Sequence, residues 1–143
     1  MKRATTALAA LVLILSTAGC NRLRSRDNLN KGVREYKGAK YAEAVKYFQT
    51  AIELDPEFTT ARLYLATAYM SQWIPGADSE ENNKYAKAAE DNFKAVLEKD
   101  PNDKLAIASI GSIYYNQKKF DIAKEWNERL LKVDPQNKEA LYT

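Results

Sequence analysis

Histidine is absent from the 143 residues, and Cys20 is the only cysteine. That removes histidine-dependent catalysis, zinc sites of the cysteine/histidine kind and any disulfide within the chain. The carboxylates do not gather into a catalytic set either. Glu53, Glu98 and Glu125 are scattered along helical stretches that also carry lysines, the pattern of a solvated face. No nucleophile elbow, glycine-rich phosphate loop or metal-spaced cluster is present. The side chains left with chemistry to offer are one thiol and the aromatic residues, nine of them tyrosines. The first suits covalent modification and the second suits recognition, so no enzyme and no cofactor is expected.

The thiol ends a leader. Lys2 and Arg3 precede a nine-residue apolar run from Ala7 to Leu15, and small residues lead up to Cys20. This is a secretory signal, shorter than the roughly 20 apolar residues that a membrane span needs. Thr17-Ala18-Gly19-Cys20 resembles a bacterial lipobox, although Thr17 stands where that motif prefers leucine and Leu15 lies two residues further back. The resemblance implies a signal peptide over 1–19 and a mature chain of 124 residues headed by a lipidated Cys20, with diacylglycerol and palmitate as its anchor. Asn21 in place of aspartate after the cysteine then implies the outer membrane, facing the periplasm. The alternative is a plain secretory leader cleaved near Gly19, leaving a secreted soluble protein with a free thiol. Residues 20–26 are expected to be a lipidated tether, with Arg22, Arg24 and Arg26 either solvated or touching anionic head groups.

Beyond the leader, the chain repeats. Lys104 to Asn137 holds a helical hairpin: Ile110, Gly111, Tyr114 and Tyr115 on a first helix, Phe120, Ala123, Leu130 and Leu131 on a second, and Asp134-Pro135 at its close. Small residues at Gly111 and Ala123 would let the two helices approach closely. This resembles the tetratricopeptide repeat, with its W-x2-L-G-x2-Y, A-x3-F and P signature. Phasing on Asp55-Pro56 puts Gly32, Tyr41, Ala44, Phe48 and Ala51 at repeat positions 8, 17, 20, 24 and 27. The first repeat thus runs over 25–58, with Asp27 or Asn28 capping its first helix, Gly38 ending it, and a second helix from near Tyr41.

The second repeat covers 59–103 and is too long. Its Asp100-Pro101 lies 45 residues after Pro56, whereas Pro135 follows Pro101 by 34. The excess falls near 72–83, where Pro75-Gly76 makes a turn, Asp78 or Ser79 offers a cap, and Glu80 and Glu81 suit a first turn. The expectation is a short loop and a second helix lengthened by about two turns. The third repeat covers 104–137, and 138–143 looks like the start of a truncated fourth. The fold expected is therefore all-α, a solenoid of about three hairpins after the signal peptide. Its end around Leu130, Leu131 and Val133 is expected to be open, available for self-association or for docking onto a larger complex.

In tetratricopeptide proteins, inner helices line a concave groove. Carried over by repeat position, that implies a peptide-binding set of Leu29, Val33 and Tyr36 from repeat one, Leu63, Tyr64, Thr67 and Met70 from repeat two, and Ser109, Ser112, Tyr115 and Asn116 from repeat three. Such a groove suits a peptide with apolar anchors. The family's clamp for acidic chaperone tails is missing, since Leu29, Val33, Tyr64, Leu105 and Ser109 occupy its places. Trp73 and Ile74, beside the Pro-Gly turn, form a second candidate surface, Trp73 either as an anchor or as cover for the lengthened helix. The composition is 45% hydrophobic and 29% charged, and the net charge of +3 shrinks once Lys2 and Arg3 leave with the leader. Mixed signs along helices speak against nucleic acid. A membrane-anchored scaffold for protein partners in the bacterial envelope is the first functional expectation. A structural subunit of an assembly, export or pilus complex is the second.

Overall fold

A computed structural model describes the backbone of residues 2–141 and the side chains of residues 19–138 and of Ala140. The leader's side chains, Thr17 and Ala18 among them, lie outside the described residues, as do that of Leu141 and residues 142–143. Seven helices and no strand occur among the described residues: α1 Lys2–Lys37, α2 Tyr41–Leu54, α3 Thr59–Met70, α4 Glu80–Lys99, α5 Lys104–Asn116, α6 Phe120–Val133 and α7 Lys138–Leu141. Each odd helix packs on the even helix after it, and each even helix packs on the next hairpin, so the chain is a stack of hairpins.

Small residues set the closeness within a hairpin. Phe48 is fully buried against α1, and a Cβ added to Gly32 would lie only 2.4 Å from its Cε1. At the matching place in α5, a Cβ on Gly111 would come within 3.0 Å of Asn127 Oδ1 and 3.4 Å of Trp126 Cβ. The middle hairpin uses Ala66 there, fully buried, and buries Phe93 completely. Apolar side chains collect in two clusters. One, around Phe48, Ala44, Val45 and Leu65, joins the first hairpin to α3. The other, around Phe93, Val96, Ile107, Ile110 and Ile113, joins the second hairpin to the third.

The first and third hairpins turn in the same way. Ala39 (φ 58°) and Lys118 (φ 60°) adopt the left-handed conformation. Lys40 N–H donates to Glu35 C=O and Lys119 N–H to Tyr114 C=O, each at 2.9 Å, a six-to-one closure of the preceding helix. Gly38 follows the last residue of α1 as the sequence suggests, but the left-handed residue is its neighbour Ala39.

Two expectations need correcting. The stretch read as a tether is helical, and α1 runs through Asp27 and Asn28 without a start there. Ser25 is fully buried, and its Oγ donates to Ala51 C=O at 2.7 Å. No proline or glycine between Cys20 and Asp27 interrupts the helix, and the Ser25 bond ties that turn to α2. Leu130, placed on an open end, is only 2% exposed and belongs to the second cluster, which Leu131 and Val133 also contact from partly buried positions. Nor is that end bare, because the start of the fourth repeat folds onto it: α7 packs on α6, Asn137 Oδ1 accepts from Ala140 N–H at 3.0 Å, and Ala140 is 7% exposed within the second cluster.

The insert behaves as its sequence suggests. Ser79 caps α4, its Oγ accepting from Asn82 N–H at 3.1 Å, and α4 has 20 residues where α2 and α6 have 14.

Candidate functional site

The eleven groove residues fall into three groups. Tyr64, Tyr115 and Asn116 are exposed. Leu29, Val33, Tyr36, Leu63, Thr67, Met70 and Ser112 are half-buried. Ser109 is 7% exposed and faces inward, which removes it from any contact surface. The half-buried apolar members share their area between groove and core: Leu29, Val33 and Tyr36 pack on the first cluster, Leu63 and Met70 on the second.

Hydrogen bonds explain how the polar members are held. Thr67 Oγ1 donates to Leu63 C=O at 2.9 Å, and Asn116 Nδ2 to Ser112 C=O at 2.8 Å. Both side chains therefore lie along their own helices, Asn116 with its amide oxygen still available as an acceptor. Tyr36 Oη and Ser71 Oγ are 2.9 Å apart, joining the end of α1 to that of α3. Tyr64 stacks on Phe48 at 5.6 Å between centroids and stays 36% exposed. Tyr115 meets Phe120 edge-on at 5.5 Å and is 46% exposed. The same two places in the first hairpin hold Tyr36 and Tyr41, 5.2 Å apart and both half-buried, and there Tyr36 meets Ser71, which follows α3.

The second candidate surface divides. Trp73 is 8% exposed and belongs to the core, whereas Ile74 is 65% exposed. Trp73 is therefore cover, because the longer α4 brings apolar surface that needs burying. What holds the loop is Asn82, 6% exposed: it accepts from Ile74 N–H at 2.7 Å and donates to the carbonyls of Ile74 at 2.8 Å and Ala77 at 2.7 Å. Nothing in the sequence singled it out.

Above Trp73 opens a cleft of about 600 Å³, between the insert, the first turns of α4 and the turn from α5 to α6. Asp78, Lys87, Glu90, Asn116, Gln117 and Lys118 are among its lining residues, so Asn116 belongs to the groove's edge and to this cleft alike. Burial raises the pKa of Glu90, but hydrogen bonds from Lys94 and Tyr114 outweigh it and hold the carboxyl below its ordinary range. The same bond to Glu90 raises Tyr114. Among the described residues Gln117 Oε1 is buried without a hydrogen-bond partner, an unmet acceptor on the cleft wall.

Cys20 is a free, exposed thiol on α1. No group of acidic, cysteine or histidine residues among the described residues is arranged to hold a metal ion. No helix among them is long and apolar enough to cross a membrane.

Two family models, both described as tetratricopeptide repeat, match residues 29–104 and 106–137. No curated protein matches the chain in sequence. Among solved structures, the TPR domain of Arabidopsis OM64 is similar at a TM-score of 0.71 and 22% identity, over 85% of this chain and 91% of that one. The first TPR of Spaghetti (RPAP3), bound to the HSP90 peptide SRMEEVD, is similar at 0.69 and 22%, over 84% and 86%. The second TPR domain of human RPAP3, in complex with the HSP70 peptide SGPTIEEVD, is similar at 0.67 and 21%, over 87% and 92%.

Proposed function

Because the chain belongs to the tetratricopeptide-repeat family, we propose that it is a non-catalytic scaffold that binds a peptide segment of a protein partner along the inner helices α1, α3 and α5. The observation that carries this reading is the exposure of Tyr64 and Tyr115 on α3 and α5. Tyrosine combines a large apolar ring with a polar tip at low entropic cost, which is why it recurs at binding hot spots. Structural neighbours bound to HSP90 and HSP70 peptides support a peptide as the ligand class. The peptide differs from those acidic tails, because Leu29, Val33, Tyr64, Leu105 and Ser109 stand where cations and amides would clamp them.

The proposal extends to place. The lipobox resemblance at Thr17 to Cys20 and the exposure of the thiol support lipidation there and a seat in the bacterial envelope, at the outer membrane facing the periplasm. A second reading, a structural subunit docked through its carboxy-terminal end, is favoured by the Tyr115–Phe120 pair. Its counterpart in the first hairpin, Tyr36 with Tyr41, is half-buried and bonded through Tyr36 to Ser71 of the next hairpin, while Phe120 here is 56% exposed.

The test is capture of envelope proteins by the parent and by Tyr115→Ala. Loss of a hot-spot tyrosine costs about 2 kcal/mol, roughly thirtyfold in affinity, while melting shifts little because the ring is half in solvent. Capture that survives while melting drops would assign Tyr115 to packing and sink the groove reading. A single stoichiometric partner resisting high salt would favour the structural subunit.

A further inference from the structure

We propose that the turn of α1 around Cys20 is a lipid-facing surface, in which Cys20, Leu23, Arg24 and Arg26 lie against an anionic bilayer and hold the solenoid at a fixed angle to it. The proposal rests on the lipid-anchor reading for what brings this turn to a membrane. It replaces the tether that the sequence suggests with a rigid mount.

Ser25 sets the rotation of the helix. Its side chain is fully buried, donating to Ala51 C=O of α2, so the opposite side of α1 must face outward. At about 100° per residue, Leu23 and Cys20 fall on that opposite side, and Arg24 and Arg26 fall on its two flanks. The exposures agree with this placement. Leu23 is 72% exposed, the highest value among the exposed large apolar side chains of the described residues, and Cys20, Arg24 and Arg26 are exposed too.

Charge completes the match. Residues 20–26 contain three arginines and no acid. Arg22 is exposed as well, but it lies on the side of α1 nearer Ser25, its Nε 4.0 Å from Asp55 Oδ2. Arg24 and Arg26 form no ion pair among the described residues. The first acid, Asp27, is answered by Lys31 at 2.7 Å. An apolar midline bearing the acylated thiol, flanked by two unpaired guanidinium groups, is the pattern of an interfacial helix: Leu23 reaches the acyl boundary while the arginines meet phosphate. An acidic protein would account for the arginines but leave Leu23 without a role.

The test uses the full chain, produced in a double-membraned bacterial host fed a labelled fatty acid. A diazirine leucine analogue replaces Leu23 or, for comparison, Leu105, which is 51% exposed on α5. On irradiation of the membranes, position 23 should form phospholipid adducts in large excess over position 105. Arg24→Glu with Arg26→Glu should lower that excess by more than about tenfold, since each arginine at an anionic surface is worth roughly a factor of five. Equal adducts at the two positions, adducts at 23 that are protein, or an excess indifferent to charge reversal would each overturn the surface. Fatty acid on Cys20 without an excess at 23 defeats the surface and leaves the anchor standing. Absence of fatty acid defeats the anchor, and the ratio of adducts still decides the surface.

Discussion

Asn82 does more for the insert than any apolar residue near it. One side chain meets three backbone groups of the loop, two of them from Ile74, and in doing so holds Trp73 against the core. Asn82→Ala leaves those groups to find water or stay unpaired, at a cost of about 1–3 kcal/mol. A lowered denaturation midpoint and a red shift in tryptophan emission are the expected outcomes, because a loosened loop hydrates Trp73. Asn82→Asp keeps an acceptor for Ile74 N–H but cannot donate to the two carbonyls, so it should not rescue. An unchanged midpoint in both variants would show that the loop is not held there. The sequence hides this role, because Asn82 and Asn83 are adjacent and identical in type, and only the rotation of α4 decides which one turns inward.

At the scale of elements, helix ends were legible wherever a backbone constraint is written into the residues. The aspartate-proline pairs phased three repeats, Thr59 and Lys104 opened α3 and α5 where that phasing put them, and the Pro-Gly turn announced the loop before α4. Where no such constraint exists the boundary was invisible, as at Ser25, whose burial depends on Ala51 across the hairpin. The link between α4 and α5 is likewise tertiary. Glu90 Oε1 accepts from Lys94 on its own helix and from Tyr114 Oη on the next, each at 2.5 Å. The carboxyl is held below its ordinary range in the folded chain, so its contribution is complete above the unfolded pKa and is lost as pH falls through the folded one. The stability advantage of the parent over Glu90→Gln should therefore shrink between about pH 6 and about pH 3. Denaturant titrations of both proteins check it, and a constant difference across that window would rule the linkage out. The groove was only partly legible: repeat position identified Tyr64, Tyr115 and Asn116 as outward-facing, but could not tell that Ser109 is buried or that the insert raises a cleft beside Asn116.

Across the whole molecule, stability in a stack of hairpins is a sum of local terms and nearest-neighbour interfaces, and the two apolar clusters locate those interfaces. The ring of Tyr69 touches both, the cluster around Phe48 and the cluster around Phe93. Its Oη accepts from Gln49 Nε2 on α2 at 2.9 Å, and its ring lies 6.4 Å from that of Tyr85 on α4. Burial pushes the Tyr69 hydroxyl pKa up, as for a phenol held between helices. Tyr69 thus couples the first hairpin to the rest of the stack. Tyr69→Ala should cost about 3 kcal/mol by the general scale for removing aromatic core side chains, and it should also divide one unfolding transition into two. Hydrogen exchange provides the measurement. In the parent, amides of α1 and α2 from Ser25 onward should exchange together with those of α4 and α5; in the variant, the first hairpin should open earlier while α4 and α5 keep most of their protection. Uniform acceleration across all hairpins would mean that Tyr69 adds stability without carrying the coupling, which would then fall to Leu65 and the Tyr36–Ser71 contact.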